Sequence, residues 1–477
     1  MIRFVANEKS KRGQITRREW LRIGGIAGLG LPGLLTHGQS TAKTASNAFP
    51  GFGRARSVIF VFASGGQSQF ETWDPKPDAP LDVRGEFKAI STATPGVNIC
   101  EHMPRVARVI DRLTIIRSMS HEDLDHGSAA YLALTGRYHQ RRSSNPPPSS
   151  NDLPTYGAVL KRVRPTKRFV YDAVHLNGPA LVPTIPAPGQ NGGILGREYE
   201  PLVLGDVARQ SIAIPGLDPQ IGVPTVRLDG RRRLKEAIEK HSRTLGNNRR
   251  ALDMDHLYRQ SYEMLSSPRF HDAFDLGAEP PKLRDRYGRH RSGQACLLAR
   301  RLVEAGVPLI TVIWNHSNRG QDLTPNDTDQ YGWDTHNDIF HAMKVHLLPR
   351  FDASFSALIE DLDERGLLNE TLVVCMGEFG RAPRVALERN FAGKSPGRKH
   401  WASVYSIVMA GAGVQRGAVV GASDRLGASP VTERYGPWDV AATMFSALGI
   451  DPTSHYDDSL QRPMPITIGR PIAPIYG

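Results

Sequence analysis

The chain has 477 residues, 40% of them hydrophobic, which allows one large α/β domain with insertions or two domains of ordinary size. The formal net charge is +12, but the basic residues are scattered and no recognised nucleic-acid-binding module occurs. We therefore expect a basic, solvated surface and no nucleic-acid partner. Three cysteines are too few, and odd in number, to form a disulfide framework.

Residues 1–42 have the features of an export signal. The paired arginines Arg17 and Arg18 precede an uncharged apolar stretch at 23–35, and small residues around Ala42 and Ala48 offer a cleavage region. The apolar stretch, about 13 residues, is too short to cross a bilayer comfortably. The pattern resembles a twin-arginine signal, which implies export by the twin-arginine machinery to the periplasm or the extracellular space. No other segment is predicted to span a membrane.

Strands and helices are predicted to alternate from residue 57 to residue 477, after a polar linker at 43–56. Short apolar and β-branched runs predict five strands, at 57–63, 113–116, 307–314, 371–376 and 404–409. Helical patterns occur at 105–111, 293–305, 351–362 and 438–448. This alternation predicts an α/β domain whose sheet is mainly parallel and is covered by helices on both faces.

An insertion at about 140–290 interrupts this alternation. It begins with a surface excursion around the proline run at 146–148 and stays rich in proline and glycine to about residue 224. A short strand at 223–228 is compatible with its sequence. The composition of 231–274 predicts two or three helices that cover the sheet or form a lid.

Polar groups follow two of the predicted strands. The strand at 371–376 ends at Gly377-Glu378, and the strand at 57–63 leads into a loop that contains Ser68 and Glu71. Ligands of open parallel sheets bind where strands reach their carboxyl ends. Glu378 is therefore either a functional carboxylate at this edge or an ordinary acid of an exposed loop.

Three further residues extend this constellation. Asp334 and His336 lie two residues apart in a loop that enters a helix, and His400 lies in the loop after Glu378. Carboxylate and imidazole are typical ligands of Zn, Mn or Fe, whereas an all-oxygen set would favour Mg or Ca. Taken singly, Asp334 could cap the helix, His336 could be an ordinary polar residue and His400 could stabilise its loop. Together with Glu378, they favour a divalent metal site (Zn, Mn, Mg or Ca).

The carboxyl-terminal part of the chain resembles the alkaline phosphatase and sulfatase superfamily. Residues 363–374 are similar to the helix, turn and strand that precede the superfamily's metal-binding Asp-His pair, and Glu378 and Phe379 occupy the positions of that pair. The resemblance implies an alkaline-phosphatase-like core in which Glu378 replaces the Asp as a ligand. Phe379 cannot coordinate a metal, so one ligand is lost or comes from elsewhere.

Residues 132–139 resemble the helix that follows a sulfatase nucleophile, and His126 occupies the nucleophile's position. A formylglycine cannot form from histidine, so ordinary sulfatase chemistry is not expected. The attacking group is then Ser68, Ser128 or a metal-activated water.

The chain is also similar, over nearly its whole length, to a family of exported bacterial proteins known as domain of unknown function fifteen-hundred-and-one. The shared motifs lie at 65–68, 73–77, 284–288, 298–306, 332–336, 377–381 and 397–401. This family is grouped with the alkaline-phosphatase-like core, so the resemblance implies the fold and the location of the site rather than the reaction.

Two functions are compatible with these observations. The first is an exported metal-dependent hydrolase of anionic small-molecule or polysaccharide esters, either phosphate or sulfate. In it, the metal ligands are Asp334, His336, Glu378 and His400, and the groups facing the substrate are Ser68, His126 and Arg381. The second is a non-catalytic protein that binds polyanions or polysaccharides through a degenerate site. A true sulfatase is a weaker third option.

Overall fold

The computed structural model describes residues 49–166, 169, 171–209, 212, 268–317 and 331–477. The predicted export signal, residues 43–48 of the linker, the strand at 223–228 and the helices predicted within 231–267 lie outside these residues. In the described part, no helix has both the length and the apolar character needed to cross a membrane.

An eight-stranded sheet runs through the middle of the unit formed by Pro50–Gly477. Its strands are β1 (Ser57–Phe62), β2 (Leu113–Met119), β3 (Ala173–Leu176), β4 (Leu202–Leu204), β5 (Leu309–Ile313), β6 (Thr371–Met376), β7 (Tyr405–Ala410) and β8 (Ala418–Val420). Their order across the sheet is β8-β2-β7-β6-β1-β5-β3-β4. All pairings are parallel except those of β7 with β6 and β2.

The five predicted strands are all present, and the prediction of a mainly parallel sheet in an α/β fold is confirmed. The central strand β1 pairs with β6 from Ser57 opposite Thr371 to Phe62 opposite Met376, so both strands end level. Strand β7 is the exception to the parallel order. Because it runs in the opposite direction, the loop that enters it starts at the edge where its parallel neighbours end.

Helices cover both faces of the sheet. They are α1 (Leu81–Arg84), α2 (Pro104–Val109), α3 (His126–Thr135), α4 (Tyr156–Val163), α5 (Pro268–Phe274), α6 (Pro281–Tyr287), α7 (Arg291–Ala305), α8 (Ile339–His341), α9 (Leu348–Glu364) and α10 (Pro437–Ala447), with a π-helix at Ala342–Leu347. Two-residue and three-residue strand pairs lie outside the sheet, at Ala89–Ser91 with Asn98–Cys100, Leu181–Val182 with Ile185–Pro186, Gly380–Arg381 with His400–Trp401, and His455–Asp457 with Pro463–Pro465.

The alternation of side chains along β1 divides the core into two layers. Ile59 and Val61 pack with α2, α7 and α9 on one face of the sheet. Val58, Phe60 and Phe62 pack with α3, α4 and α10 on the other. Both faces of the strand are buried, which explains why it reads as an uninterrupted apolar run.

Candidate metal centre

The candidate site lies at the edge of the sheet where β1 and β6 end. Gly65 follows β1, His126 begins α3 after β2, and Glu378 follows β6. His400 precedes the antiparallel strand β7, so its loop reaches the same edge. A short strand pair, in which Arg381 lies opposite His400, connects the loops that flank Glu378 and His400.

Four side chains meet at this edge: His126, Asp334, His336 and His400 each direct one ligand atom to a common point, and these atoms lie within 4.8 Å of one another. The Oδ1 atom of Asp334 is 3.1 Å from His126 Nε2, 3.1 Å from His336 Nε2 and 3.3 Å from His400 Nε2. The Nε2 atoms of His336 and His400 are 2.8 Å apart. Asp334 does not cap a helix, because the residue that precedes α8 is Asp338.

The outer nitrogens of two of these rings have partners of their own. His126 Nδ1 lies 2.5 Å from Glu378 Oε1, and His400 Nδ1 lies 2.6 Å from the carbonyl oxygen of Leu124. A carbonyl oxygen only accepts, so His400 Nδ1 must donate, and in the neutral ring its Nε2 then presents a lone pair to the cluster. Backing of this kind orients histidine ligands at metal sites.

Burial and neighbouring charges shift the pKa values of the four clustered side chains. Burial opposes protonation of His126, but the carboxylates of Asp334 and Glu378 outweigh it and raise the pKa of His126 to about 9. Burial lowers the pKa of His400 to about 3 and also lowers the pKa of His336. Burial would raise the pKa of Asp334, but the charges of His126 and Arg381 hold it well below its usual range.

The arrangement fits a divalent cation. The buried Nε2 atom of His126 has no hydrogen-bond partner among the described residues, although it lies against Asp334. Three imidazole nitrogens and one carboxylate oxygen form a donor set that suits such ions, and a cation would take the place of the proton that His126 otherwise holds.

Glu378 was predicted as a ligand, but it lies outside this group of four. Its carboxylate accepts hydrogen bonds from the backbone N–H of Gly65, at 2.8 Å and 3.0 Å, and contacts His126 from behind. Its own carbonyl oxygen lies 2.6 Å from His121 Nε2. His126, which is predicted to face the substrate, thus lies inside the cluster, and Glu378 contacts it from outside.

Gly66 makes the close approach of these loops feasible. Its φ is +72°, a backbone conformation that favours glycine, and a Cβ atom there would lie 2.6 Å from the ring of Phe379 and 3.3 Å from Arg381 Nε. The side chain of Phe379 in turn packs against the rings of both His126 and His400, with centroids 4.9 Å and 4.7 Å away. Phe379 therefore contributes shape to the cluster rather than a ligand.

Ser68, a predicted nucleophile, forms its side-chain hydrogen bond outside the four clustered side chains. Its side chain is buried, and its hydroxyl donates to the carboxylate of Glu71. Glu71 is paired with Arg398, whose Nη2 lies 2.8 Å from Glu71 Oε1. In the described part of the chain, no hydrogen bond joins Ser68 to the four clustered side chains. The other candidate nucleophile, Ser128, donates to Asp123 at 2.7 Å.

Arg381 is at the cluster but is not open to solvent. Its Nη2 lies 2.7 Å from Asp334 Oδ1, its Nε donates to the carbonyl oxygen of Gly66, and its Nη1 donates to that of Arg398. The side chain is fully buried. These contacts orient Asp334 and connect three loops, and they leave few donors for a substrate oxygen.

Sequence reasoning did not anticipate Phe391, whose ring stacks on that of His336 with centroids 3.7 Å apart and an interplanar angle of 7°. The contact brings together residues 55 positions apart, and a lone phenylalanine in a polar loop gives no signal of it.

Comparison with known proteins gives distant structural relatives. A sulfatase from Pseudoalteromonas sp. aligns at 13% identity and a TM-score of 0.37, covering 86% of this chain and 72% of the other. A phosphonate monoester hydrolase from Silicibacter pomeroyi aligns at 10% identity and a TM-score of 0.39, covering 88% and 76%. Likenesses this distant support no argument about activity. No curated protein matches the chain.

The comparison with family models identifies the family of the chain. The family described as "Protein of unknown function (DUF1501)" matches residues 55–476, which include all four clustered side chains and Glu378. The resemblance inferred from the motifs is therefore confirmed: the chain belongs to this family.

Proposed function

We propose that the protein is a metal-dependent hydrolase of phosphate or sulfate esters. The observation that carries the proposal is the convergence of three imidazole Nε2 atoms and one carboxylate oxygen within 4.8 Å. The ester class is supported by the superfamily resemblance of residues 363–374 and by the net charge of +12, which favours anionic substrates.

In this proposal His126, Asp334, His336 and His400 are the metal ligands. A set with three imidazoles favours Zn²⁺ or another transition metal over Mg²⁺ or Ca²⁺. A bound cation would supply Lewis acidity to the ester group. Glu378 fixes the orientation of His126, since its carboxylate lies 2.5 Å from the Nδ1 atom of that ring.

The attacking group in this proposal is water rather than a serine. The hydroxyls of Ser68 and Ser128 both donate to buried carboxylates, and those hydrogen bonds would have to break before either could attack. Water adds to the phosphorus or sulfur atom, the bond to the leaving oxygen breaks, and one proton of the water ends on that oxygen, so the products are an alcohol and an inorganic anion. Arg381 would act by holding Asp334 in place.

Metal analysis combined with an ester screen tests the proposal. Purified protein is expected to contain about one ion per chain, and turnover of a phosphate or sulfate ester is expected to disappear in Asp334→Ala. His455→Ala, in an exposed histidine outside the cluster, is the matched control and should keep both properties. A metal-free protein, or an Asp334→Ala variant with full turnover, would refute the proposal. Metal and polyanion binding without turnover would favour the non-catalytic alternative.

We further propose that the protein is exported by the twin-arginine machinery. The support is the sequence pattern of Arg17-Arg18 followed by an apolar stretch at 23–35. A fusion of residues 1–48 to a reporter that is active only outside the cytoplasm should give signal, and replacement of both arginines by lysine should abolish it. Unchanged signal after that replacement would exclude this route.

A further inference from the structure

The loop formed by residues 387–396, here called the rim loop, lies against the metal centre and is held closed at its base. Ala386 and Gly397 exchange two backbone hydrogen bonds, at 2.9 Å and 3.0 Å. Phe391, near the middle of the rim loop, stacks on the ligand His336. The loop is therefore a hairpin-like projection whose tip contacts the metal centre.

Buried Asn337 fixes the conformation of the rim loop. Its Nδ2 donates to the carbonyl oxygens of Glu388, Phe391 and Ala392 at 2.9–3.1 Å, and its Oδ1 accepts from the N–H of Glu388 at 2.8 Å. The side chain of Asn337 is completely buried. A buried amide with four partners in one loop holds that loop in a single arrangement.

Asp338 provides a second anchor. Its Oδ1 accepts hydrogen bonds from the N–H of Lys394 at 3.0 Å and from the N–H and hydroxyl of Ser395 at 2.6 Å each. Asn337 therefore holds the backbone between 388 and 392, and Asp338 holds Lys394 and Ser395. Because both contacts form without a ligand, the exposed side chains of the rim loop are positioned before a ligand binds. Such preorganisation reduces the entropy lost on binding.

Two apolar side chains of the rim loop are exposed to solvent in this arrangement. Phe391 is 43% exposed and Leu387 is 48% exposed, although one face of the Phe391 ring lies on His336. Neither residue belongs to the core of the protein. The free face of an aromatic ring that is fixed beside the candidate site is available to pack on a ligand.

The surroundings of the rim loop are positively charged. Arg384, Arg389, Lys394 and Lys399 are exposed on it or beside it. Arg384 lies 3.7 Å from Asp82, and Lys399 lies 3.2 Å from Glu388. Within the described part of the chain, Arg389 and Lys394 form no ion pair, so two cations remain available to a negatively charged ligand.

We propose that the rim loop is the subsite for a ring of the substrate next to the ester that is cleaved, and that this ring belongs to an anionic saccharide. The exposed face of Phe391 would pack on the apolar C–H face of the sugar, and Arg389 and Lys394 would bind further sulfate or phosphate groups along the saccharide. This assignment rests on the proposed hydrolase function, because it takes the metal centre as the place of cleavage.

Calorimetric titration of the metal-loaded protein with a heparin-derived sulfated tetrasaccharide tests the subsite. Phe391→Ala should weaken binding about three- to tenfold, the range expected for loss of one aromatic stack, whereas Phe391→Tyr should bind as the parent does. Arg389→Ala combined with Lys394→Ala should weaken binding and reduce its salt dependence. The control, Arg56→Ala combined with Arg416→Ala, removes equal charge outside the rim loop and should have no effect.

The outcomes separate this subsite from the hydrolase proposal. The subsite is refuted if the parent does not bind the tetrasaccharide, if its desulfated form binds equally well, or if Phe391→Ala binds unchanged. An effect of Phe391→Ala on the turnover of 4-nitrophenyl esters, with unchanged tetrasaccharide affinity, would assign the loop to aryl esters and refute the saccharide. Failure of the hydrolase proposal would be seen separately, as the absence of turnover or of bound metal.

Discussion

Two polar clusters lie close together in the same set of loops, and they differ in how their charges are satisfied. In the first, Glu71 is paired with the guanidinium of Arg398 through contacts of 2.8–3.1 Å and accepts from Ser68. In the second, Asp334 faces three imidazole nitrogens at 3.1–3.3 Å. Both clusters are formed by loops from the ends of distant strands.

The difference supports the second cluster as the candidate site for a ligand. Arg398 also donates to the carbonyl oxygens of Val83, Ala382 and Pro383, so the Glu71–Arg398 pair is saturated by the protein itself. In the cluster around Asp334, three imidazole nitrogens face one carboxylate oxygen, and the buried Nε2 atom of His126 has no hydrogen-bond partner among the described residues. The Glu71–Arg398 pair connects loops and needs no further partner, whereas the group around Asp334 offers imidazole and carboxylate atoms to a cation.

Removal of one of the four clustered side chains around Asp334 should have the largest effect. His336→Ala deletes one of three imidazoles, so we expect loss of bound metal and of ester turnover to background. Inductively coupled plasma mass spectrometry and an ester assay measure the two properties. His455→Ala should keep both, and a His336→Ala variant that retains stoichiometric metal would show that the four side chains are not the ligand set.

Breaking the Glu71–Arg398 ion pair should lower the stability of the fold rather than remove the metal. Arg398→Met leaves Glu71 as a buried carboxylate without its cation, which typically costs about 3–5 kcal/mol of unfolding free energy. Urea denaturation of the variant and the parent gives this difference. The folded fraction should still bind metal, because Arg398 lies outside the ligand group. A loss below about 1 kcal/mol would show that the pair contributes no more than an exposed salt bridge and would contradict its structural role.

Removal of the Glu378 charge behind His126 should have an effect of intermediate size. Glu378→Gln keeps the size of the side chain but removes the charge that orients the ring, and loss of such support typically lowers metal affinity about 10–100-fold. Competition with a chromophoric chelator measures the affinity. Complete loss of the metal would instead place Glu378 among the ligands, as the sequence pattern predicts.

The smallest effect is expected for Ser68→Ala. It removes one hydrogen bond to Glu71, worth about 1 kcal/mol of stability. Because water is the proposed nucleophile, turnover should stay within twofold of the parent. A loss of several orders of magnitude, in a variant that folds and binds metal normally, would make Ser68 the nucleophile.

The sequence was sufficient to predict much of this architecture. The apolar run of β6 and the glycine-rich turn after it placed Glu378 at the correct edge, and the Asp334-His336 spacing identified two of the four clustered side chains. His400 was also placed at the site, although the antiparallel direction of β7 was not foreseen. Apolar runs report burial on both faces but carry no information about strand direction.

The sequence did not give the direction in which side chains point within the loops. Whether Glu378 or His126 faces the centre depends on the turn at Gly65, whose N–H binds the Glu378 carboxylate across 313 residues. Likewise, Phe391 reaches His336 only because Asn337 binds the backbone of the rim loop. Such long-range contacts have no local sequence pattern, so ligands and supporting residues could not be told apart.

X-ray absorption spectroscopy of the metal-loaded protein tests the central claim most directly. The account predicts a shell dominated by imidazole scattering, with three nitrogen ligands from histidine and one oxygen from Asp334, and a drop to two imidazoles in His126→Ala. A spectrum unchanged by His126→Ala, or an oxygen-only shell, would contradict it.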